Sequence, residues 1–375
     1  MNIKSLLLGS AAALVAVSGA RAADAVVYEP EPVEYVKVCD AYGAGFFYIP
    51  GTETCLSISG YVWVQLGFTN DGPGKTPNYH QLAANSYNPY ARARVNFDAR
   101  SDTEWGTLRS YIRVQSDWFG GISADANAVV DQAFIELGGF RAGYTESAWN
   151  DAKDAGVANW GSHSDWGMSY GYQQRFLMSY TFAANGFSAT LSLEDDDNVN
   201  YVPDVVAVVA YNAGWGGVWA KLAYDEDRFD KYGAIAFASS FDGFAASIGA
   251  QFNIPNMAGS NLRVIGYYSD SDNRYGPTLA GVDPFGPSSE WSVMAAYNHA
   301  FSSTLSASIA AQYFNNFYFP LASVGTGIDG YQIEAEMVWT PVTNFEVRAA
   351  VAYSDVNTPG ISGSTSGFLR FTRYF

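Results

Sequence analysis

Gly367-Phe-Leu-Arg-Phe-Thr-Arg-Tyr-Phe375 closes the sequence, and its alternation decides the fold. In an extended strand Leu369, Phe371 and Phe375 share one face, and Arg370 and Thr372 share the other. A soluble protein gains little from such a strand at its end, because termini fray into water. A transmembrane barrel requires one, since its last strand must pair with its first to leave no open edge in lipid. Arg373 stands in the apolar register; either its side chain snorkels to the rim or the register shifts there.

Composition agrees with a barrel. The 375 residues are 16% aromatic and only 15% charged, an unusual balance for a soluble protein. Mean hydropathy is near zero, as expected when each apolar outward residue is followed by a polar inward one. The net charge of -17 argues against nucleic acid as a partner. Residues 1–22 read as a signal peptide: Lys4, an apolar core from Leu6 to Val17, and a small-x-small site at Ala20-Arg-Ala22. No later apolar run approaches the ~20 residues of a membrane-spanning helix. The expected destination is therefore periplasm, medium or outer membrane.

Residues 23–55 read as an extended periplasmic leader, rich in proline and glutamate at first and ending in a cysteine-bracketed loop. In an oxidising compartment Cys39 and Cys55 form one disulfide around Tyr42-Gly-Ala-Gly-Phe-Phe47, worth about 3 kcal/mol. A metal site would need further soft ligands nearby, and there are none.

From residue 56 the alternation continues to the end. Residues 56–68, 91–100, 108–114, 133–137 and 140–146 show it, the cleanest being Ala91, Ala93, Val95, Phe97 and Ala99 against Arg92, Arg94, Asn96, Asp98 and Arg100. Further candidates lie at 175–182, 187–194, 204–212, 217–225, 232–241, 244–253, 261–270, 290–301, 305–314, 330–339, 345–355 and 367–375. That makes seventeen, an odd number where a bacterial single-chain barrel has an even one. A recurring strand–turn–strand layout, ending Ala223-Tyr-Asp225, Tyr268-Ser-Asp270 and Tyr353-Ser-Asp355, leaves 232–241 without a partner. Sixteen strands remain, with short connections such as 138–139 and 302–304 alternating with long polar ones such as 69–89, 147–174 and 271–289. The fold expected is all-β: a 16-stranded antiparallel transmembrane β-barrel over 56–375, with short periplasmic turns and long extracellular loops. Tyr211, Tyr224, Tyr268, Tyr297, Tyr313 and Tyr353 sit near strand ends, where interfacial girdles belong.

One constellation carries charge. Arg92, Arg94, Arg109, Arg113 and Arg141 fall on the inward register of the early strands, and Arg175 opens the next. The connection after the fifth strand carries Asp151, Asp154 and Asp165, with Glu146 at its root. Arginine stays charged when partly desolvated, and facing rows of opposite charge across a gap would order water and sieve solutes by size and charge.

This arrangement is similar to that of general diffusion porins, whose third loop folds into the barrel opposite basic wall residues. More narrowly, Ala23-Asp-Ala25, the segment Val38-Cys-Asp-Ala-Tyr-Gly-Ala-Gly-Phe-Phe-Tyr-Ile-Pro-Gly-Thr-Glu-Thr-Cys-Leu-Ser-Ile-Ser-Gly60, Ala133-Phe-Ile-Glu-Leu-Gly-Gly-Phe140 and the terminal Phe368-Leu-Arg-Phe371 resemble the alphaproteobacterial porin family. The resemblance implies an inward-folded third loop and a homotrimer, set among outer-membrane lipid and lipopolysaccharide. It also implies passive passage of ions and small hydrophilic solutes, without a cofactor or catalysis. A terminal strand with Phe371 and Phe375 resembles the signal read by the barrel assembly machinery, and Ala23 and Asp24 imply a tether to peptidoglycan. One departure is Val62-Trp-Val-Gln65, neutral where most members have a charged first strand.

Three other readings remain. A hydrolase would need a nucleophile and base, but His80, His163 and His299 do not pair with a strand serine. A sugar-specific porin would use an inward aromatic track, for which Tyr61, Trp63 and Tyr111 are candidates. A structural or adhesive barrel would have a plugged lumen.

Overall fold

Alternation becomes wall in the computed structural model, which describes residues 37–70, 86–119, 127–151, 173–195, 201–227, 242–279, 286–320, 322–359 and 363–375. Among these are a short strand β1 (Phe46–Tyr48) and sixteen longer ones. The first eight of the sixteen are β2 (Cys55–Asn70), β3 (Ser86–Thr103), β4 (Gly106–Phe119), β5 (Val129–Leu137), β6 (Phe140–Glu146), β7 (Gln174–Ala184), β8 (Phe187–Glu194) and β9 (Asp204–Ala213). The others are β10 (Gly216–Asp225), β11 (Gly243–Asn253), β12 (Asn261–Ser269), β13 (Ser289–Ala300), β14 (Leu305–Phe317), β15 (Gly330–Val342), β16 (Phe345–Val356) and β17 (Ser364–Tyr374). Each of β2 to β17 pairs antiparallel with the next. β17 returns to β2, from Thr365 opposite Asn70 to Tyr374 opposite Tyr61, and closes the barrel.

The faces are those of a membrane barrel. In β2, Val62, Val64, Leu66 and Phe68 are exposed on the outside, while Trp63, Gln65 and Thr69 are buried on the inside. In β17, Leu369 and Phe371 face out, and Arg370 and Thr372 face in. Water-soluble proteins bury their large apolar residues; here most line the outer surface, where lipid hydrocarbon receives them. Tyr211, Tyr224, Tyr268, Tyr313 and Tyr353 stand exposed among them near strand ends.

Connections at one rim are tight. Asn185 and Gly186, between β7 and β8, both have positive φ (51° and 79°), the two-residue turn whose twist suits a hairpin. Strands extend further than alternation predicts towards the opposite rim: β3 begins at Ser86 rather than at residue 91. The discarded candidate 232–241 lies outside the described residues, as do residues 1–36 with the expected signal peptide and Ala23-Asp24.

Two findings refine the sequence reading. First, Cys39 and Cys55 are bridged as expected (Cα–Cα 5.9 Å), but the leader is not wholly extended: β1 pairs with β2 from Phe46 opposite Ser57 to Tyr48 opposite Cys55. β1 therefore covers the edge of β2 below the end of β17. Second, Arg373 keeps its register, opposite Phe345 and Val62. Its guanidinium reaches the rim and donates to the carbonyls of Asn344 (3.1 Å) and Tyr374.

Candidate functional site

Antiparallel register brings the inward side chains of neighbouring strands level, and on β3 to β6 many of those side chains are charged. Arg92 lies opposite Asp117, and its Nε donates to Asp117 Oδ1 at 2.6 Å. Arg109 holds two carboxylates, Asp98 at 3.0 Å and Glu136 at 2.8 Å. Arg141 bonds Glu136 at 2.7 Å and Asp151 at 2.8 Å. Arg100, outside the predicted set, bonds Asp98 at 2.7 Å. Arg94 donates to Gln115 Oε1 through Nε at 2.9 Å, and Arg113 to Asn96 Oδ1 at 3.2 Å. The result is a continuous chain, Arg100–Asp98–Arg109–Glu136–Arg141–Asp151, running around the inner wall. The predicted arginine wall is thus a ladder of wall arginines bonded mainly to wall acids, rather than a bare basic face opposing an acidic loop.

Sequence reasoning catalogued loop acids and passed over Asp98, Asp117, Asp131 and Glu136. Alternation held a signal for three of them: Asp98, Asp117 and Glu136 share the inward register of Arg100, Arg113 and Phe134. Lys221, Arg263, Glu334, Glu336 and Arg348 were likewise missed, although all are buried or part-buried on inward positions.

Guanidinium groups also cover the aromatic faces of this wall. Arg370 and Arg92 lie 4.4 and 5.3 Å from the Trp63 ring, and Arg94 lies 5.1 Å from Tyr61. Arg109 stacks 4.9 Å from Tyr111, and Arg141 5.1 Å from Phe134. Such stacking stabilises a cation that has lost part of its hydration.

The third long connection begins inside the barrel. A one-turn helix α1 (Ala148–Asp151) buries Trp149, whose carbonyl accepts from Lys221 Nζ at 2.6 Å. The Ala148 amide donates to Glu194 Oε1 at 2.9 Å. Trp149 and Ala148 pack on Val206, Val208, Ala223 and Ala245, apolar inward residues of β9, β10 and β11, together with Tyr275 from the β12–β13 connection. Tyr275 donates to Asp204 Oδ2 at 2.7 Å, and burial beside Glu194 and Asp204 pushes its phenol well above the usual range.

The remaining predicted residues divide. Asp151 joins the ladder. Glu146 is buried at the end of β6, and Arg175 is 1% exposed and 3.2 Å from Asp204. Asp154 and Asp165 lie outside the described residues.

Beyond α1 the inner wall changes character. Ala210, Trp219, Ile265, Met294, Ala296 and Ala310 form one apolar cluster on β9, β10 and β12 to β14. The Trp219 ring lies across Gly249, where any Cβ would collide with it. Among the described residues no group of three or more His, Cys, Asp or Glu side chains is arranged to hold a metal ion.

Comparison with known proteins adds the family. Residues 24–368 match the model described as "Porin subfamily". The chain is 42% identical over 251 residues to Porin Omp2b of Brucella suis biovar 1 (strain 1330), covering 60% of this chain and 66% of the relative. Porin Omp2b of Brucella melitensis biotype 1 is 41% identical over the same shares. The matched region thus spans just under two thirds of the length of these relatives. In fold, the chain is similar to the outer membrane channel DcaP of Acinetobacter baumannii (TM-score 0.65, 12% identity, 88% of this chain and 99% of that one). It is also similar to an anion-selective porin from Comamonas acidovorans (TM-score 0.58, 13% identity, 86% and 100%). A closed sixteen-stranded barrel with an apolar outside and a bonded charged inside, matched along nearly its whole length by the family model, places this chain in the porin subfamily, as a multi-pass β-barrel of the outer membrane.

Proposed function

We propose that the barrel is a water-filled channel through which ions and small hydrophilic solutes diffuse passively. The observation that carries this reading is the reversal of faces: large apolar side chains outside, with charged and amide side chains along the inner wall of β2 to β6. Porin membership implies a channel rather than an enzyme. In this reading Arg92, Arg94, Arg109, Arg113 and Arg141 on the wall, with Asp151 on the third connection, line the narrow part of the path. Because most of these arginines are bonded to carboxylates, the ladder supports weak rather than strong ion preference.

A sugar-specific channel is disfavoured by one observation. Sugars stack on open aromatic faces, and Trp63, Tyr61 and Tyr111 have guanidinium groups over theirs. The assembly we propose is a homotrimer surrounded by outer-membrane lipid and lipopolysaccharide. Purified protein in a planar bilayer tests the reading: large ohmic steps arriving in threes are expected, and absence of steps would overturn it. Saturation of the current by one sugar at low concentration would favour the specific channel instead.

A further inference from the structure

The alternation of β5 is broken at one place. Ala133, Ile135 and Leu137 take the outward register, so residue 131 would also face lipid in a regular strand. It does not. Arg113 pairs with Gln132 and Val114 with Val130, so Asp131 is the extra residue of a β-bulge, and both Asp131 and Gln132 are buried on the inside. A bulge re-aims a side chain at the cost of one ladder position, and such bulges gather beside functional sites. Here the re-aimed carboxylate lies 3.5 Å from Arg94 and 3.6 Å from Arg113.

Those two arginines have other anchors. Arg94 is held by Gln115, and Arg113 by Asn96 and by the Tyr111 hydroxyl at 3.2 Å. All three anchors are neutral. Asp98, Asp117 and Glu136, by contrast, make the short bonds that fix their arginines. Asp131 therefore adds negative charge between two guanidinium groups that neutral partners also hold.

We propose that Asp131 is a specificity-determining residue of the pore: the bulge in β5 places its carboxylate between Arg94 and Arg113 to lower the positive potential that passing ions meet. The inference rests on the channel reading. Low-dielectric walls focus the field of such a charge along the lumen, and salt screens it over roughly 10 Å at 0.1 M but only about 3 Å at 1 M.

The test is the reversal potential of the full-length protein in a planar bilayer under a potassium chloride gradient. In Asp131→Asn the anion-to-cation permeability ratio should rise at least about twofold near 0.1 M salt and less at 1 M. Single-channel conductance at 1 M should stay as in the wild type, because the wall does not move. Asp131→Glu should keep the wild-type ratio. Arg113→Gln, which leaves the carboxylate with one arginine fewer, should move the ratio the other way and serves if Asp131→Asn does not fold. Unchanged ratios in the folded variants, with only a lowered unfolding temperature, would reduce Asp131 to a structural residue and overturn the proposal. A wild-type protein that carries no current would overturn the channel reading and this inference together.

Discussion

The inner walls of β3 to β6 and of β9 to β14 are built on the same backbone and the same inward register, yet they are filled differently. On the first, long charged side chains lie in rungs, most of them bonded to a neighbour across the sheet. On the second, Ala210, Ala296 and Ala310 surround Trp219, Ile265 and Met294, and this apolar cluster sits among buried polar side chains such as Lys221, Arg263, Gln251 and Gln312. The difference shows that a barrel interior is not uniformly a polar lining. One side holds a ladder of bonded charge, and the side against which the third connection begins to pack carries small hydrophobic clusters among its polar residues. The two meet at α1, where Asp151 ties to Arg141 and Trp149 lies on β9 and β10.

The sharpest way to break the contrast is Glu136→Ala. It removes the carboxylate shared by Arg109 and Arg141, and severing a partly solvated pair of this kind should cost about 3 kcal/mol. It should also move selectivity several-fold towards anions. Thermal unfolding and reversal potentials in one preparation check both.

On the opposite wall, Gly249→Leu forces a side chain into the Trp219 ring. Overpacking of that kind should cost about 2 kcal/mol without altering selectivity, as read from the unfolding temperature and the permeability ratio.

Asp151→Asn loosens only the end of the ladder. Its bond to Arg141 is about a third open to solvent, so about 1 kcal/mol is expected, with a shift towards anions smaller than that of Glu136→Ala. An unchanged ratio would remove Asp151 from the ion path.

The mildest change, Met294→Leu, conserves volume in the apolar cluster and should cost less than about 1 kcal/mol, leaving conductance as it was. A large loss there would mean that the cluster is far less adaptable than the comparison implies.

Much of this was legible beforehand, and for a physical reason. A lipid-facing strand must alternate, so β2, β3 and β17 announce themselves in residues 56–68, 91–100 and 367–375. The wall arginines were legible on the same ground. Pairing was not, because it depends on register across strands: Arg92 with Asp117 is visible only once β3 and β4 are aligned. Asp131 was hidden more deeply, since its bulge makes strict alternation give the wrong face. β1 was missed because Phe46-Phe-Tyr48 is too short to show a period, and only the uncovered edge of β2 calls for it.

That edge has a practical side. Gly60 and Phe375 exchange backbone hydrogen bonds (3.0 and 3.1 Å), and β1 takes up the edge of β2 only three residues further on, at Ser57. A purification tag fused after Phe375 would therefore not hang free: its first residues would be steered along β2 into the place of Phe46–Tyr48. Tag position thus becomes a choice that can displace part of the molecule, and a tag inserted in a long connection at the opposite rim is the safer design.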